Sequence, residues 1–68
     1  MSIRKSDVTI LRNVVEKFGI DKKDSVDYDD VFKVSSELMS NGDVVLSNYI
    51  QALPPGEFED LIVNTIYG

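Results

Sequence analysis

DYDDVFKVSSELMSNGDVVLSNYIQALPP, residues 27–55, decides the architecture of this chain. Tyr28, Val31, Phe32, Ser35, Leu38 and Met39 recur at helical spacing and predict one apolar stripe along a helix. Asp27 is placed to cap its first turn, and Asn41-Gly42 to end it. A second helix is expected from Val44 to about Leu53, with Asp43 as cap and Val45, Leu46, Tyr49, Ile50 and Leu53 on one face. Pro54-Pro55 stops it, because proline lacks the amide proton and pushes the preceding residue away from helical geometry.

The flanks read in the same way. Upstream, Val8, Leu11, Val14, Val15 and Phe18 predict a first helix capped by Ser6 or Ser2 and closed by Gly19. Downstream, a fourth helix starts near Pro55, with Phe58, Leu61, Ile62, Thr65 and Ile66 on its buried side. Glu57, Glu59 and Asp60 fall in its first turns, where the helix dipole favours negative charge. The β-branched runs DVVL (43–46) and LIVNTIY (61–67) compete for strand. Short linkers and the lack of any low-complexity segment make one domain over residues 1–68, a compact all-α bundle of three or four short helices.

Composition removes whole classes of chemistry. The 68 residues include no cysteine and no histidine. Disulfides, thiolate zinc sites and thiol nucleophiles are excluded, as is the commonest general base. Serine and threonine have no imidazole to activate them, and neighbouring acids such as Asp29/Asp30 or Glu59/Asp60 point to different sides of a helix. No catalysis and no cofactor are expected. A domain this small commonly needs a staple, and self-association is the kind left open. Without a secretory or membrane-spanning pattern, a cytoplasmic location is the expectation.

FGIDKKDSVDYDDVF, residues 18–32, resembles an EF-hand calcium loop. With Gly19 at the first loop position, Phe18 ends the entering helix, Val26 takes the apolar eighth position and Asp30 the twelfth, and Val31-Phe32 open the exiting helix. The resemblance implies a divalent-ion site needing oxygen donors at the first, third, fifth and twelfth positions and a glycine at the sixth. Gly19 offers no side chain, Lys23 puts a cation at the fifth position, Asp24 replaces the glycine, and Asp30 is shorter than the usual glutamate. Asp21 and Asp30, with Asp27 nearby, are the remaining donors, so the acids read as a solvated loop and helix start. A fainter echo at NGDVVLSNY (41–49) lies too close for a second complete unit.

Helices flanking Met39-Ser40-Asn41-Gly42-Asp43 also have the order of a helix-turn-helix, with Val44–Leu53 as the reading helix. Asn48 and Gln51 suit adenine edges, but that helix has no lysine or arginine to meet phosphate. Charge is partitioned along the chain. All seven basic residues, Arg4, Lys5, Arg12, Lys17, Lys22, Lys23 and Lys33, lie at or before position 33, offset there by seven acids. Glu37, Asp43, Glu57, Glu59 and Asp60 therefore carry the whole net charge of -5. Such a half repels nucleic acid and suits a basic protein surface.

The expectation is a small acidic interaction module: an adaptor, an inhibitor, or an accessory protein of a phage or mobile element. Glu57, Glu59, Asp60, Val63, Tyr67 and Asp43 are its candidate partner contacts. A helix-turn-helix DNA-binding regulator, itself dimeric, and a degenerate EF-hand ion binder are the alternatives.

Overall fold

A computed structural model describes residues 3–68 as four helices and no strand. The helices are α1 (Lys5–Lys17), α2 (Tyr28–Ser40), α3 (Val44–Gln51) and α4 (Pro55–Leu61), the last running on into a π-helical turn, Ile62–Ile66. A 3-10 turn, Ile20–Lys22, lies between α1 and α2. Residues 44–46 and 61–66 of these two runs are thus helical, since β-branched residues accept a helix when tertiary packing buries one side of it.

Local signals set most boundaries. Asp27 accepts from the Asp30 amide at 3.0 Å, and the Asp30 carboxylate returns the bond to the Asp27 amide at 3.1 Å. This reciprocal cap satisfies two donors that a helix start otherwise leaves open. Asp43 caps α3 through the Leu46 amide at 3.2 Å. The first helix departs from expectation. Its cap is Arg4 rather than Ser6, because the buried Asp7 carboxylate draws in both the Arg4 amide and its Nε, each at 3.3 Å. Ser2, the other expected cap, lies outside the described residues.

The core gathers Leu11, Val14 and Val15 of α1, Ile20, Val31, Val34 and Leu38 of α2, Leu46 and Ile50 of α3, and Phe58, Ile62 and Ile66. Small residues let α2 and α3 approach closely, and Ser47 Oγ donates to the Ser35 carbonyl at 2.6 Å inside that contact. Every buried side-chain polar atom among the described residues has a hydrogen-bond partner. The expected stripe on α2 is rotated. Val34 is buried in it, whereas Tyr28, Phe32 and Met39 face outward. Val45 and Thr65 are exposed as well, and α3 ends at Gln51 rather than Leu53. No helix is long and apolar enough to cross a membrane among the described residues.

Gly42 ends α2 at φ +85°, a left-handed conformation that costs a side chain roughly 1–2 kcal/mol. The space around it is open, so Gly42→Ala tests backbone strain alone. The thermal midpoint is expected to fall by about 4–16 °C, followed by circular dichroism.

Candidate interaction surfaces

Loop residues 20–26 and the last helix meet, although the sequence gives no sign that they should. Ile20 is drawn into the core by its 3-10 turn, which leaves Asp21 and Asp24 facing solvent. The Val26 amide then donates to Glu59 Oε1 at 3.0 Å and ties the loop to α4. Between them lies a hollow of about 160 Å³. Ile20, Val26, Ile62 and Val63 supply its apolar floor, and Asp21, Asp24 and Glu59 its acidic edge. Val63 is 60% exposed.

Lys23 also lines the hollow, but its ammonium lies 2.7 Å from Asp30 Oδ2 and 3.8 Å from Asp27. The hydrogen bond it donates to Asp30 holds the Lys23 amine above its ordinary value, against desolvation. Burial alone would raise the Asp30 carboxyl, but Lys23 and the Asp27 amide outweigh it and hold Asp30 below the usual carboxylate range. The residue at the twelfth EF-hand position is thus occupied by an ammonium from the fifth. Among the described residues no three acidic side chains form a group suited to a metal ion.

Asp21, Asp24, Glu57 and Asp60 have no ion-pair partner among the described residues, whereas Glu37 is paired with Lys17 at 2.7 Å. The expected contact residues divide accordingly. Glu59 and Val63 line the hollow, Asp60 follows on the same helix, and Glu57 is exposed at its start. Asp43 is engaged as the α3 cap. Tyr67 closes the C-terminal turn against α1. Its hydroxyl donates to Glu16 at 2.8 Å, and the Arg12 guanidinium, bonded to the Ile66 carbonyl, stands 5.6 Å from its ring centre. Desolvation and the Glu16 carboxylate push the Tyr67 phenol up to about 12. Sequence reading missed Asp21 and Asp24 as neighbours of α4, because only the contact between Val26 and Glu59 brings them there.

A second surface has the opposite character. Tyr28, Val31, Phe32 and Gln51 line one hollow of about 270 Å³, and Phe32, Ser35, Ser36, Met39, Ser47 and Gln51 line another of about 170 Å³. No charged side chain lines either of them. Compared with family models, curated proteins and solved structures, the chain matches none.

Proposed function

We propose that this chain is a non-catalytic, cytoplasmic protein-interaction module that receives a basic segment of a partner protein in the hollow between residues 20–26 and the last helix. The reading rests on one observation: Asp21 and Asp24, carboxylates without ion-pair partners among the described residues, stand with Glu59 around an apolar floor that reaches the surface at Val63. An arginine or lysine matches both parts, laying its aliphatic stem on the floor and its charged head among the carboxylates. The unbalanced charge of the second half of the chain adds attraction at a distance and sets orientation before contact. An adaptor or inhibitor, as well as an accessory protein of a mobile element, would act in this way.

Asp21 and Asp24 are exposed and outside the caps, so Asp21→Lys with Asp24→Lys leaves the fold unchanged by circular dichroism. Glu59 is retained in this variant because it holds the loop. Partner recovery from the native host's lysate is expected to drop about tenfold or more, and wild-type recovery to weaken as salt screens the pairing. Equal recovery by both forms overturns this choice of surface.

A further inference from the structure

We propose that the α2–α3 face is covered by a second copy of this chain, in a two-fold dimer whose α2 helices pack antiparallel. Tyr28 is 75% exposed and Phe32 65%, one helical turn apart on a well-formed helix, with Met39 two turns further along the same side. Large aromatics in this arrangement are the usual anchors of an interface. Charge selects the occupant. A chain carrying -5 meets repulsion from its own copy over most orientations, but the two hollows here are lined without any charge. Asp29 and Lys33, which follow Tyr28 and Phe32 in the helix, neutralise each other at 3.2 Å. A basic partner or a nucleic acid gains no attraction there, whereas a second copy escapes its penalty.

The order of side chains is self-complementary. Bulk sits at the start of α2, in Tyr28 and Phe32, and the small Ser35 and Ser36 follow before Met39. A two-fold axis midway between Tyr28 and Met39 sets Tyr28 against the partner's Met39, a favourable aromatic–sulfur contact. The same axis lowers Phe32 into the hollow floored by the partner's Ser35 and the partner's Ser36, and each contact occurs twice. The contact row is roughly 16 Å long at the rise of an α-helix. Two largely exposed aromatics bring about 300 Å² per copy, which places the contact in the small, weak class of interfaces.

Sedimentation equilibrium is therefore run up to about 1 mM chain, the range in which weak association is seen. The apparent mass is expected to climb from 7.6 kDa towards twice that value, and Phe32→Glu to remain at the lower mass with an unchanged circular dichroism spectrum. Since the chain has no cysteine, Ser40→Cys accepts a single spin label. Mixed with isotope-labelled chain, it is expected to broaden the amides of residues 28 and 29 in the other copy. A monomer at every concentration, a dimer that survives Phe32→Glu, or intermolecular broadening at residues 40–44 instead each overturns the proposal. Recovery of a basic partner by Phe32→Glu stays at the wild-type level, which separates this face from the acidic hollow.

Discussion

Phe58→Ala is expected to leave the chain largely unfolded at 25 °C. Phe58 is wholly buried and is the largest such side chain in the core, joined there by residues from every helix. Truncating a buried phenylalanine costs about 3–5 kcal/mol, through lost transfer energy and the cavity left behind. A domain below about 70–80 residues draws rarely more than 3–5 kcal/mol from its single core. The one loss therefore matches the whole margin, with no disulfide to offset it. Far-UV circular dichroism in a urea series reads the effect directly. Phe58→Leu, which refills most of the volume, is expected to fold with a lowered midpoint. An Ala variant within about 1 kcal/mol of wild type would mean that the helices hold together by other contacts.

Asp30→Ala comes next, at about 2–3 kcal/mol, or about 8–24 °C in thermal midpoint. The carboxylate is buried, and its removal takes the acceptor from the Asp27 amide and leaves the exposed Lys23 ammonium with Asp27 alone, at 3.8 Å. Its folded pKa lies below the ordinary 3.8. A depressed carboxyl contributes stability that is complete above the unfolded value and disappears as pH falls through the folded one. The gap in midpoint between wild type and Asp30→Asn is accordingly expected to be full at pH 7 and to close on acidification below 3.8. A gap that stays constant into that acid range would show that Asp30 acts by packing rather than by charge.

Local chemistry made much of the fold legible. Asp27, Asn41-Gly42, Asp43 and, at the start of α4, Pro55 mark boundaries through backbone rules that act within a few residues and stand where they were expected, whereas α3 ends at Gln51, short of the prolines. The α2 face was harder to read. Tyr28, Phe32 and Met39 satisfy helical spacing as well as Val31, Val34 and Leu38 do, and periodicity alone does not say which of two adjoining arcs meets the core. Packing of small Ser35 against Ser47 settles it by drawing α3 towards that side. Arg4 and Asp7 at the start of α1 were hidden for a related reason, since a buried carboxylate outcompetes a serine hydroxyl for the helix start.

The candidate site was legible only in part. Charge partition pointed to the start of α4, where Glu57 and Asp60 are exposed. Asp21 and Asp24 belonged, in sequence, to the loop that resembles an EF-hand. Their place beside Val63 depends on the bond between Val26 and Glu59, residues far apart in the chain. Tyr67 looked like a free aromatic until its hydroxyl was seen to meet Glu16.

Amide chemical-shift mapping with a short arginine-containing peptide probes the central claim without knowledge of the natural partner. Titrated into isotope-labelled chain at low salt, the peptide is expected to move residues 20–26 and 59–63 together and to leave residues 44–51 still. Shifts scattered evenly over the exposed acids, or none in the stretch from Ile20 to Val26, would contradict a binding hollow built jointly by the loop and the last helix.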